Sequence, residues 1–302
     1  MTLWPNTMPR IETEAPGGQF RRAAEEAQRR SSRSRGLLRL GILGGCGLIL
    51  ALLLTTLPYA WNWSVVWTYR ALFYQGFAMT LAVSAGAMVL GSILGLAGGL
   101  CRVSGNMLLS EPAALYVEIF RGTPLLVQIY IFYFCVTTVI RYDNVYVVGT
   151  ATLALFAGAY LTEMVRSGIE SVDQGQWEAA LATGLTQGQT LRRVVLPQAL
   201  RRVIPPLAGQ FASLIKDSSL LSVISIRELT KAAEVVNATT YKTFEAYLPL
   251  ALCYLALTWP LTKLTYRLER WLEKGLERRY GNAGGQAPEP RNTNGTHPGP
   301  AA

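Results

Sequence analysis

The stretch QWEAALATGLTQGQTLRRVVLPQ occupies positions 176–198, and its reading decides the fold. It is polar, rich in helix formers, and lies between two long apolar runs. Residues 176–183 favour a short helix, with Trp177, Ala180, Leu181 and Gly184 bringing apolar or small groups to one side. Gly184 suits the positive φ that ends such a helix. Residues 186–195 suit a second short helix, with Arg192 and Arg193 near its end, and Pro197 is expected to interrupt the chain before the next run. Two short helices at an angle make a knob. Helices this short are not stable alone in water, so the knob needs a socket.

Outside this stretch the chain is patterned for lipid. Half of its 302 residues are hydrophobic and 16% are charged. The apolar residues gather at 40–58, 72–100, 124–140, 145–162, 203–225 and 245–262. About twenty apolar residues cross a bilayer core as a helix. The first two runs meet that length, the others are shorter or interrupted, and the fifth carries Lys216 and Asp217. The expected fold is all-α: a polytopic membrane protein of about six transmembrane helices, with a core of about five and a cytoplasmic two-helix loop. The expected segments are a disordered basic tail at 1–36, a first transmembrane helix and outer aromatic segment at 37–71, and a core at 72–270 with the loop near 170–200. A cytoplasmic tail follows at 271–302, disordered from about 281. The first run lies behind a long charged tail and lacks a small-x-small cleavage site, so it reads as a retained helix rather than a cleaved signal.

The net charge of +9 does not point to nucleic acid, because the basic residues are sorted by side. Of the 28 Lys and Arg, 21 fall in the N-terminal tail, at Arg102, in the long loop and in the C-terminal tail, against five in the alternate segments. Such an excess orients a membrane protein, with both termini and the long loop in the cytoplasm. Cys46, Cys101, Cys135 and Cys253 form no Cys-x-x-Cys pair, and the one histidine, His297, sits in a Pro/Gly-rich tail. Neither a disulfide framework, a metal site nor histidine catalysis is expected. No Gly-x-x-x-x-Gly-Lys-[Ser/Thr] run is present, so ATP hydrolysis by this chain is not expected.

Polar residues near the apolar runs have structural and functional readings. Gly91, Gly95 and Gly99 fall on one helical face and suit close helix packing, within the chain or at a subunit interface. Glu118 and Arg121 stand three apart, as do Glu163 and Arg166, and both are expected to pair on one helix face. Pro124 suits the first turn of a span, which makes 112–121 an interfacial helix. A span starting at Pro112 would instead place Arg121 deep in the membrane. Lys216 and Asp217 are candidates to line a substrate pathway, but adjacent helical residues point about 100° apart, so one can face the pathway while the other holds a neighbouring helix. Ser218, Gln75, Thr80 and Gln128 are further candidates, each equally able to hydrogen-bond another helix. Residues 226–244 read as an amphipathic helix at the outer surface.

Glu178-Ala179-Ala180, three residues, Gly184, nine residues, Val194, one residue, then Leu196-Pro197 resembles the signature loop of permease subunits of bacterial ATP-binding cassette importers. Valine stands where that pattern has isoleucine. EIFRGTPLLVQ at 118–128 and KDSSL at 216–220 are similar to the polar amino-acid permeases of the histidine, glutamine and arginine type. The resemblance covers roughly residues 72–270. It implies that Trp177, Glu178, Ala179, Ala180, Leu181, Gly184, Val194, Leu196 and Pro197 form an ATPase-coupling loop. The implied partners are a cytoplasmic ATPase dimer that uses ATP and Mg, a second permease subunit of the same or a sister chain, and a periplasmic or lipid-anchored substrate-binding protein. An amino acid is the implied substrate, with no cofactor bound by this chain, and the bacterial inner membrane the implied location. Asp173 departs from the family pattern, which often has proline there, so a less stiff turn is expected. The rival readings are a permease for another small solute and a gradient-driven secondary transporter.

Overall fold

The structure is a computed structural model. It describes residues 59–280 without a break, together with residues 38, 41, 42, 44, 45, 47–49, 52 and 56; of 271–280 only the backbone is described. The expectations for the tails at 1–36 and 281–302 lie outside the described residues. The chain divides into two units, Met1–Ala60 and Trp61–Ala302. In the first, the described residues between 38 and 56 are helical and exposed, as an apolar run facing lipid would be.

Every regular element described in the second unit is helical. In order they are α1 (Ser64–Thr68), α2 (Arg70–Arg102), α3 (Met107–Gly122), α4 (Leu125–Tyr130), α5 (Thr137–Ile140), α6 (Val145–Glu170), α7 (Gln174–Ala182), α8 (Gln187–Thr190), α9 (Leu196–Asp217), α10 (Leu229–Thr240) and α11 (Thr243–Tyr280). Among the described residues, three helices are long and apolar enough to cross a membrane: Arg70–Arg102, Val145–Glu170 and the Thr243–Arg270 part of α11. The bent pair Met107–Gly122 and Leu125–Ile140 passes the same test together.

α2 is the mast of the unit, about 50 Å long at 1.5 Å per residue. Three apolar clusters lie along it. Val65 and Phe73 meet Leu229, Ala233, Val236 and Ala246 at its first end. Val83, Ala87 and Met88 meet Leu153, Leu161, Leu214 and Leu221 at its middle. Leu100 and Val103 join Val165, Ile169, Val195 and Val203 at its last end. We call the last end the loop side and the first end the far side.

The glycine face of α2 is spent within the chain. Gly91 lies against Ala154, Ala157 and Gly158, Gly95 against Leu161, and Gly99 against Val165. A Cβ at Gly99 would stand 2.5 Å from Val165 Cγ1, so only glycine lets α2 and α6 run this close and parallel.

The third run breaks at Thr123-Pro124, where α3 and the following helix differ by 107°. Proline disfavours a helical conformation in the residue before it, and Thr123 is extended (φ −120°, ψ 146°). α3 begins at Met107, earlier than the expected 112, because Asn106 Oδ1 accepts from Leu108 N at 2.9 Å. The fifth run, expected as one span over 203–225, is composite. α9 ends at Asp217, and a 3₁₀ segment covers Ser218–Ile224, closed by Ser225 at φ 65°. Residues 203–217 rise only about 22 Å as α-helix, and the more extended 3₁₀ segment, at about 2 Å per residue, lengthens the run.

Candidate functional site

The loop between α6 and α9 is a capped, closed unit. Asp173 Oδ1 accepts from Gly175 N at 2.8 Å and caps α7. The turn at Asp173, expected to be less stiff than one with proline, carries this side-chain cap. At the other end Gly184 takes φ +85°, Gly184 N donates to Leu181 O at 2.9 Å and Leu185 N to Ala180 O at 3.4 Å. These two bonds make a Schellman motif, which consumes carbonyls that the helix end leaves open. Thr186 and Gln189 then form a capping box over α8.

Pro197 does not interrupt the chain as expected. α8 continues through a π-helical segment, Leu191–Val195, directly into α9, with Leu196 N donating to Leu191 O. Pro197 stands at the start of α9, just after the π-helical segment.

The nine expected loop residues divide by face. Trp177 and Ala180 point inward, Trp177 joining the loop-side cluster of Val165, Ile169, Val172, Val195, Ala199 and Val203. Glu178, Ala179 and Leu181 are exposed, as are Gly184 and Pro197. This corrects the expectation that Trp177, Ala180, Leu181 and Gly184 share one side: Trp177 and Ala180 face the chain's own core, whereas Leu181 and Gly184 are exposed. Glu178 Oε1 accepts from Gln174 Nε2 at 3.0 Å. Val194 and Leu196 are half-buried, and the fully buried neighbour is Val195, which sequence reading missed. Val194 O accepts from Gln198 Nε2 at 3.0 Å.

Of the two expected ion pairs, one forms. Arg166 Nε donates to Glu163 Oε2 at 3.0 Å, and the same guanidinium also pairs with Glu170. Among the described residues no Glu118–Arg121 bridge is present. The Arg121 guanidinium lies over the Tyr160 ring instead, 5.1 Å from its centroid, a cation–π contact that ties α3 to α6. Tyr116 adds a second tie, donating its hydroxyl to Leu155 O at 2.5 Å.

The candidate pathway residues differ in exposure and in bonding. Lys216 and Gln75 are exposed, and Asp217 is half-buried. Thr80, Gln128 and Ser218 are buried and bonded to backbone. Thr80 Oγ1 accepts from Leu229 N at 3.1 Å, and Ser218 Oγ donates to Ile215 O at 2.7 Å. Gln128 Nε2 donates to Phe120 O at 2.8 Å and to Thr123 O at 3.1 Å, holding the 107° corner closed.

The far side holds two buried carboxylates that sequence reading passed over. Glu228 caps α10, accepting from Thr230 N and Lys231 N at 2.8 Å each and from Tyr254 Oη at 3.0 Å. Glu245 accepts from Asn62 N at 2.5 Å. The first has a sequence signal: a carboxylate just before an amphipathic helix is an N-cap pattern.

Similarity to known proteins agrees with this architecture. Residues 87–278 match the family described as binding-protein-dependent transport system inner membrane component. The chain is 35% identical to the glutamine transport system permease protein GlnP of Escherichia coli (strain K12), over 69% of this chain and 96% of that one. It is 37% identical to the probable glutamine ABC transporter permease protein GlnM of Bacillus subtilis (strain 168), over 70% and 99%. The crystal structure of an amino acid ABC transporter with histidines superposes with a TM-score of 0.66 at 33% identity, covering 70% of this chain and 99% of that one. The inward-facing MetNI methionine ABC transporter shares the fold, with a TM-score of 0.57 at 21% identity over 67% and 96%. The chain is a multi-pass membrane protein that belongs to the binding-protein-dependent transport system inner membrane components, the permease subunits of ABC transporters.

Proposed function

We propose that this chain is the membrane-spanning permease subunit of an ATP-driven importer for polar amino acids. One observation carries the reading. The 173–197 loop is capped at both ends and filled from inside by Trp177 and Ala180, while Glu178, Ala179 and Leu181 are left exposed. A rigid knob with a free mixed face suits docking into a groove on a cytoplasmic ATPase. ATP and Mg are used by that partner, and this chain binds no cofactor of its own. The glutamine and amino-acid names of its relatives support the substrate class. A second permease subunit completes the pathway, and an external substrate-binding protein delivers to the far side. The protein sits in the bacterial inner membrane with both termini cytoplasmic, in keeping with the distribution of Lys and Arg.

The test is ATP hydrolysis and uptake in proteoliposomes that hold the permease with its co-expressed ATPase and binding protein. A panel of amino acids is compared with and without Glu178→Ala. Uptake of one amino-acid class that depends on ATP, lost in the variant while the complex stays folded, supports the importer. Uptake that needs no ATPase and ignores Glu178 would move the protein to the gradient-driven class.

A further inference from the structure

We propose that Arg202 is a positioning residue that locks the coupling loop, α6 and α9 into one lever; this rests on the reading of the 173–197 loop as the ATPase contact. Arg202 sits one turn beyond Pro197 on α9, and its Nη1 donates to the carbonyl of Ser171 and, at 2.8 Å, to Ser171 Oγ. Ser171 is the residue that closes α6. The end of a helix leaves carbonyls without partners and carries partial negative charge. A guanidinium from a different helix supplies both a donor and a matching charge there. Arg202 therefore caps one crossing helix with the side chain of another, at the point where the loop begins.

Two further contacts make the joint stiff. One turn inside the cap, Gly168 lies against α9: a Cβ there would stand 2.5 Å from Val203 Cγ2 and 3.4 Å from Ala199 O. α6 and α9 thus touch almost backbone to backbone beside the Arg202 cap. Across the loop, Gln198 Nε2 faces Gln176 Oε1 at 3.4 Å, linking α9 to α7 itself. A push on α7 is thereby handed to α9 at this joint, and α9 runs on from Arg202 through Pro205 and Pro206 to Lys216 and Asp217. Arg202 is remote in role from docking, because the exposed Glu178, Ala179 and Leu181 face does not include it.

The experiment uses the complete complex of permease, ATPase and binding protein in proteoliposomes. It reads three quantities: ATPase retained on purification, ATP hydrolysed, and amino acid taken up per ATP. Arg202→Gln is expected to keep the ATPase and near-normal hydrolysis while uptake per ATP falls about tenfold, the low end of the scale of one charge-assisted hydrogen bond. Arg202→Lys recovers part of the ratio, since an ammonium supplies charge and one donor. Gly168→Ala, which parts the same helices without touching Arg202, gives the same signature and stands in if Arg202→Gln fails to assemble. Wild-type uptake per ATP in both variants would overturn the proposal. So would loss of the ATPase from the complex, which would make Arg202 part of the docking face. Glu178→Ala, run alongside, reports separately on the docking reading: wild-type ATPase retention and uptake there would sink that reading itself.

Discussion

Two short helices join crossing segments on opposite sides of the molecule, and they are finished in opposite ways. On the far side, α10 buries Leu229, Ala232, Ala233 and Val236, and its cap, Glu228, is fully buried. On the loop side, α7 buries one of its nine residues, Ala180, and its cap, Asp173, is exposed. The far-side helix has its partner in its own chain, between α2 and α11. The loop-side helix is held in shape from behind and left open in front. The lesson is that local order and burial are separable: both helices are capped, but α7's cap and outer face are exposed, whereas α10's cap and one face are buried.

The comparison breaks most readily at Glu228. Glu228→Ala removes a buried carboxylate that accepts from Thr230 N, Lys231 N and Tyr254 Oη, leaving the two backbone N–H groups without that acceptor and Tyr254 Oη with Thr230 Oγ1 at 3.0 Å, and is expected to cost about 3 kcal/mol, read as a fall in melting temperature of the solubilised protein. Asp173→Ala removes the equivalent cap in water and is expected to cost about 1 kcal/mol. If the two costs are equal, burial does not separate the two helices. Next in size is Gly76, whose added Cβ would lie 2.9 Å from Leu229 Cα and 3.0 Å from Glu228 O. Gly76→Leu is expected to cost about 2 kcal/mol by overpacking. Its counterpart on the loop side, Gly184→Ala, meets nothing within 4 Å and pays only for φ +85°, about 1 kcal/mol.

A pH series sharpens the same contrast. Burial pushes the Glu228 carboxyl above the ordinary carboxylate range, against the hydrogen bonds from Thr230, Lys231 and Tyr254 that favour the charged form. A carboxyl raised on folding holds its proton more tightly in the folded state. Its contribution is therefore complete below the ordinary carboxylate pKa and is lost as pH rises through the raised value. The difference in melting temperature between wild type and Glu228→Gln is expected to grow in favour of wild type as pH falls from neutral into that window. A pH-independent difference would show that Glu228 titrates as it does in the unfolded chain. The smallest expected stability effect is at Glu178→Ala, within about 0.5 kcal/mol, because the side chain is exposed and touches only Gln174. A folded core with lost transport is the outcome that fits an open docking face.

The elements most legible in sequence were those set by local chemistry. The helix before Gly184, the break at Pro124 and the close glycine face of α2 each follow from one residue type in one place. What sequence spacing missed depends on partners far along the chain. The i,i+3 spacing of Glu118 and Arg121 allowed a pair, but Tyr160 on α6 took the guanidinium. Trp177, Ala180, Leu181 and Gly184 looked like one side, yet the core around Ile169 and Val195 claimed Trp177, and Leu181 stayed exposed. The bond from Leu229 N to Thr80 Oγ1, across 149 positions, likewise has no mark in local spacing. Pro197 looked like an interruption because the π-helical segment before it leaves no sequence mark.

The glycine seam between α2 and α6 constrains how such a protein can drift. Gly91, Gly95 and Gly99 already have the smallest side chain there is, so any change at these positions adds atoms. The seam has no tolerance for growth on the α2 side. Room can come only from the facing positions, and of these Leu161 and Val165 have volume to give up while Ala157 has little. Variation along this contact must therefore be paired across it, with shrinkage on α6 coming before enlargement on α2. A library that varies α2 alone should return glycine at Gly95 and Gly99, and one that varies both helices should return size-compensated pairs.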